Sequence, residues 1–125
     1  MLNIVLVAIG GAIGSVARYL TGLVAARLFG PNFPWGTLAV NVVGSLAIGI
    51  FAELIARRFS APLEWRLFII TGILGGFTTF SAFSLDIATL YDSGNLALAF
   101  LYLAVTMLVS LGAVFAGLAL MRALL

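Results

Sequence analysis

The sequence contains no cysteine, no histidine and no lysine. Without cysteine there are no disulfides, no thiolate metal sites and no cysteine nucleophile, and the redox compartment is left open. Without histidine the commonest proton-transfer and metal-binding side chain is missing. All six basic residues are arginine, against four acids, and the resulting net charge of +2 lacks the clustered Lys/Arg of a nucleic-acid surface. Charged residues make up only 8% of the chain and hydrophobic ones 64%. A soluble domain carries about 25% charged residues and about 45–50% apolar ones. Too few charges are available to solvate a compact particle, so the composition points to an integral membrane protein.

What is present is long apolar runs. A helix crosses about 30 Å of hydrocarbon with about 20 mostly apolar residues. Four stretches of the 125-residue chain qualify, over about 2–28, 34–56, 63–91 and 95–124, and together they form one all-α transmembrane domain, 1–125. The first has no basic residue before it and is too long to read as a signal peptide. Three short links separate the spans: Gly30-Pro31-Asn32-Phe33-Pro34, Arg57-Arg58-Phe59-Ser60-Ala61-Pro62 and Asp92-Ser93-Gly94-Asn95. Links this short make neighbouring helices antiparallel, and Pro34 suits the first turn of its helix. Trp35, Trp65 and Tyr91 lie near span ends, where amphipathic rings favour the membrane interface. With the N-terminus cytoplasmic, Arg57, Arg58, Arg66 and Arg122 share one side and Arg27 and Arg18 the other, a bias too weak to force an orientation.

Small residues recur at four-residue spacing as Gly10/Gly14, Ser45/Gly49, Gly72/Gly76 and Ala113/Gly117. Such pairs let helix backbones approach closely, although glycine is frequent in membrane helices for blander reasons. A four-helix bundle of this size has little room for an internal pore, which favours an oligomer.

The third span carries the most chemistry. Gly75-Gly76 followed by Thr78-Thr79 is a poor helical sequence, since each glycine costs about 1 kcal/mol relative to alanine. A broken helix is expected there, and carbonyls freed by a break must be buried in protein, wetted or bound to an ion. A tightly packed glycine-rich helix is the plainer alternative. Phe80 and Phe83 share a helix face, and their positive ring edges suit an anion path. Alone, the pair would read as core aromatics. Ser81 and Ser84 add hydroxyls at the same spacing. In the second span Thr37, Asn41 and Ser45 form a stripe, with Asn41 either helix–helix glue or a pore-lining donor. In the fourth, Tyr102, Thr106 and Ser110 form another, where back-bonding to the preceding turn would account for Thr or Ser singly. Arg18 is the one charge well inside the first span; it faces a vestibule or bundle interior, or it snorkels. Glu53, Glu64, Asp86 and Asp92 all lie toward span ends, which argues against a proton-coupled carrier.

Three segments carry a family resemblance. Gly75-Gly76-Phe77-Thr78-Thr79-Phe80-Ser81-Ala82-Phe83-Ser84 resembles the GGxTTFSTFS segment of the Fluc/CrcB fluoride channels. Trp35-Gly36-Thr37-Leu38-Ala39-Val40-Asn41-Val42-Val43-Gly44 is similar to that family's WGTLxVNxxG segment, and 10–19 resembles its glycine-rich start ending in an arginine. Ala82 replaces a threonine often found there, which removes one hydroxyl.

The resemblance implies a passive fluoride-selective channel that exports cytoplasmic fluoride from a cell (inner or plasma) membrane. It implies an antiparallel dual-topology homodimer with two pores at the subunit interface. Along each pore it implies Phe80 and Phe83 as paired aromatics, Asn41 as a donor, Arg18 near the vestibule, and Tyr102, Thr106 and Ser110 as a polar track; Ser81 and Thr37 complete the expected fluoride pathway. It also implies a structural sodium ion at the dimer centre, held by the backbone carbonyls of Gly75 and Thr78. The expected partners are fluoride, a second copy of the chain and membrane lipid, with no nucleic acid. No enzymatic activity is expected. Two other classes compete. A small dual-topology proton-coupled exporter would need an acid inside its first span, and there is none. A structural subunit of a membrane complex would explain the glycines but not two polar stripes beside a broken helix.

Overall fold

The computed structural model describes residues 1–59 and 62–125. Among these, four helical spans are long and apolar enough to cross a membrane: Leu2–Phe29, Trp35–Arg57, Leu63–Asp92 and Leu96–Leu124. The first and fourth are unbroken α-helices. At the end of the second, the residues assigned above to a link continue the helix as a wider π turn over Ile55–Phe59. Ser60 and Ala61 of that expected link lie outside the described residues.

The other two links close as expected from their turn chemistry. Gly30 and Gly94 both take positive φ, 80° and 82°, which glycine adopts without steric cost. The Gly30 amide donates to the Ala26 carbonyl, and the Asn95 amide reaches back to the Leu90 carbonyl, so the ends of the first and third spans are satisfied locally.

Two helix pairings build the bundle, and both depend on missing side chains. The first span lies against the front half of the third. A Cβ on Gly10 would sit 2.6 Å from the Phe68 carbonyl oxygen, and one on Gly76 would sit 2.7 Å from that of Gly11. The second span packs most extensively on the fourth, where a Cβ on Gly117 would come within 2.9 Å of the Ile50 amide nitrogen. All four small-residue pairs contribute a glycine to one of these contacts. The reason is specific to lipid: apolar side chains gain little by leaving hydrocarbon, so close backbone packing supplies much of the association.

Most apolar surface therefore faces outward. The buried cluster is small: Phe83, Leu90, Ala99 and Tyr102, with Phe33 from the first link packed on it. It binds the rear half of the third span to the fourth.

Candidate functional site

The third span is not uniform. A π segment, Leu67–Leu74, leads into a short α-helical piece, Gly75–Phe77. Thr78 and Thr79 are then extended, with φ/ψ of −82°/160° and −154°/121°, and helix resumes at Phe80. The glycine pair is itself helical, and the interruption falls on the two threonines.

Side chains from the neighbouring spans occupy this interruption. The Thr79 amide donates to Asn41 Oδ1 at 2.8 Å, and Asn41 Nδ2 donates to the Thr79 carbonyl at 3.0 Å. One amide side chain thus stands in for a strand partner. The Ala82 amide donates to Thr79 Oγ1 at 3.1 Å, which caps the restarted helix. Arg18 Nε donates to the Gly76 carbonyl at 3.3 Å. Gly44 lets the break approach the second span, because a Cβ there would overlap the Thr78 methyl.

These bonds leave an electrostatic residue. In a continuous helix the Thr79 amide would serve the Gly75 carbonyl, and the Ala82 amide that of Thr78. Both amides are diverted, to Asn41 and to Thr79 Oγ1. The Gly75 and Thr78 carbonyls therefore lose their helical partners, and Gly75 lies on the exposed face of the span.

Two clefts flank the break and share Thr79 as a wall. One, of about 400 Å³, is lined by Ser15, Arg18, Tyr19, Thr37 and Thr79 among others. The second, of about 230 Å³, is lined by Asn41, Ser45, Thr78, Thr79, Phe80, Phe83, Thr106 and Ser110 among others. The rings of Phe80 and Phe83 meet edge-on with centroids 5.7 Å apart. Phe83 is 3% exposed and Phe80 74%, so the two rings run from the core of the chain to its outer surface. Thr106 Oγ1 and Ser110 Oγ are buried with no hydrogen-bond partner. Leaving a hydroxyl in that state costs about 1–3 kcal/mol.

The structure thus brings most of the expected residues together, in divided roles. Arg18 and Thr37 line the first cleft. Asn41, Phe80, Phe83, Thr106 and Ser110 line the second. Tyr102, expected to continue the hydroxyl track, lines neither: it is fully buried and donates to Asp86 Oδ2 at 3.0 Å. Its ring is edge-on to Phe83 at 5.1 Å and to Phe33 at 5.3 Å, so it supports the aromatic wall from behind. Ser81 is exposed at the break and lies 3.4 Å from Thr79 Oγ1. Ser84 back-bonds to the Phe80 carbonyl, which occupies its hydroxyl proton. Thr79 and Asp86 are the additions. A threonine three residues before Ala82 at a helix restart is a legible capping signal, whereas the Asp86–Tyr102 bond joins residues 16 apart and has no local signature.

Comparison with known proteins places these features in context. A family model described as CrcB-like protein, Camphor Resistance (CrcB), matches residues 5–118. The chain is 62% identical over 122 residues to a protein of Agrobacterium fabrum named fluoride-specific ion channel FluC, covering 98% of each chain. Proteins with the same name from Rhizobium etli and Mesorhizobium japonicum are 60% and 52% identical, each over 99% of both chains.

Proposed function

This chain belongs to the CrcB-like family, and from that premise we propose that it is a multi-pass membrane channel that passes fluoride down its electrochemical gradient. The observation that carries the reading is the pair of partnerless buried hydroxyls, Thr106 and Ser110, facing the same cleft as the Phe80 and Phe83 edges. Unpaired donors are what a strongly hydrated anion needs when it sheds water, and aromatic edges add weak positive potential without a charge that would trap the ion.

The path begins at the Arg18 cleft, where a guanidinium raises the local concentration of anions. It passes Thr79 and Asn41. The second Nδ2 proton of Asn41 is not needed by Thr79 and is available to the ion. It then runs along Phe80, Phe83, Thr106 and Ser110. Ser81 and Thr37 supply hydroxyls near the break and in the first cleft. Thr78 is the sixteenth of the 30 residues of its span, which puts the break near the middle of the bilayer. Hydrofluoric acid enters cells uncharged and dissociates, and an inside-negative potential then favours anion exit by about 2.3 kcal/mol per charge per 100 mV. The corresponding location is the inner or plasma membrane.

A second copy of the chain completes the path. Phe80 and Ser81 are exposed on the single chain, and lipid against them would leave the route open on one side. The arrangement proposed is an antiparallel dual-topology homodimer, which the weak arginine bias permits. Its centre suits a structural sodium ion. The Gly75 and Thr78 carbonyls are hard oxygen donors freed from helical bonding, and two chains would offer four such oxygens. Sodium there would fix the two breaks against each other.

The test is fluoride efflux from liposomes containing the purified protein, read with a fluoride electrode. Rapid fluoride efflux with no chloride efflux and no requirement for a pH gradient is expected. Efflux that requires a proton gradient would replace this reading with an exporter.

A further inference from the structure

Away from the clefts, three charged groups from two spans meet at one end of the bundle. Glu53 has only 8% of its side chain exposed, and its carboxylate takes Nε of Arg57, one turn on, and Nε of Arg122 from the fourth span, the latter at 3.3 Å. A single arginine would neutralise that carboxylate. The second leaves the group of three at +1, and both arginine side chains are 56% exposed.

Their depth follows from helix length. Arg57 closes the 23-residue span Trp35–Arg57. At about 1.5 Å per residue such a helix is about 34 Å long, slightly more than the hydrocarbon core of about 30 Å. Arg57 therefore emerges at headgroup level, and Arg122 lies in the last turn of its own helix. Each guanidinium uses its Nε on Glu53 and keeps its Nη donors, whose planar fork matches phosphate oxygens.

We propose that Glu53 holds Arg57 and Arg122 as a two-pronged site for the phosphate of an anionic phospholipid headgroup. The surplus single positive charge complements a monoanionic phosphodiester. The headgroup depth of both arginines selects a membrane lipid over a soluble phosphate.

The experiment is native mass spectrometry of the purified full-length protein titrated with phosphatidylglycerol or phosphatidylcholine. The wild type is expected to bind phosphatidylglycerol at least fivefold more tightly. The Arg57→Gln/Arg122→Gln double variant is expected to lose that preference, while Arg27→Gln, at the opposite end, retains it. Arg57→Lys/Arg122→Lys keeps the charge without the fork and is expected to lose most of the preference with the bundle intact. Unchanged preference in both double variants overturns the site. Equal loss in Arg27→Gln shows a general charge effect and also overturns it. Full displacement of the lipid by millimolar inorganic phosphate reassigns the cluster to a soluble anion.

Discussion

At the residue scale, the proposed path sets stability against function at Thr106 and Ser110. Their buried hydroxyls have no partner, so each burdens the fold. Replacing both by apolar isosteres removes polar groups without opening a cavity, which is neutral or favourable by about 1 kcal/mol. Thr106→Val with Ser110→Ala is therefore expected to keep or raise the melting temperature in detergent while lowering liposome fluoride efflux at least tenfold. A lowered melting temperature would mean that the hydroxyls serve packing. Asn41 behaves oppositely, because it serves both backbone groups of Thr79. Asn41→Asp puts a carboxylate oxygen against the Thr79 carbonyl. It is expected to abolish efflux and lower the melting temperature while leaving the dimer peak in size-exclusion chromatography. Phe80→Ile, by contrast, removes an exposed ring edge and is expected to abolish efflux with little change in melting temperature.

At the element scale, the third span works because its two halves are held by different neighbours. The first span fixes the front half through glycine contacts, and the fourth fixes the rear half through the Phe83–Tyr102 cluster. Between them the chain is extended for two residues and capped by Thr79. Thr79→Val keeps the extended backbone preference but loses the cap to Ala82. A cost of about 0.5–2 kcal/mol is expected, measured as the midpoint shift in denaturant-induced loss of the fold. Gly117→Ala presses a methyl on the backbone of the second span, where neither partner can yield cheaply. It is expected to destabilise by about 1–3 kcal/mol by the same measurement.

At the scale of the whole molecule, the single chain leaves the proposed path open on one side. Gly75, Phe80 and Ser81 are all exposed. The absence of cysteine makes this simple to probe, since any introduced thiol is the sole one in the chain. Gly75→Cys, at the proposed two-fold centre and with room for a side chain, is expected to cross-link two copies into a dimer band on oxidation. Dual topology predicts that Asn32→Cys, in the first link, is labelled by an impermeant maleimide from both sides of sealed vesicles. Labelling from one side alone would require a parallel arrangement.

The sequence by itself determined the class of molecule and its span plan. Lipid cannot satisfy backbone polar groups, so apolar runs of this length have to be helices, and few charges with short links leave little freedom in their order. The Gly75–Thr79 segment marked where helix is hardest to hold, and the polar stripes marked helix faces that line the two clefts, Tyr102 apart, because both signals are local. Tertiary structure decided how those groups are used. Asn41 matches the backbone of a residue 38 positions away, Tyr102 turns from the hydroxyl track to Asp86, and Glu53 collects arginines from two spans. Phe80 and Phe83 share one helix face by periodicity, yet one is exposed and the other buried. Each of these outcomes depends on which backbones come close enough to exchange hydrogen bonds or bury a ring, and that distance is set by glycine contacts between helices rather than by any single segment.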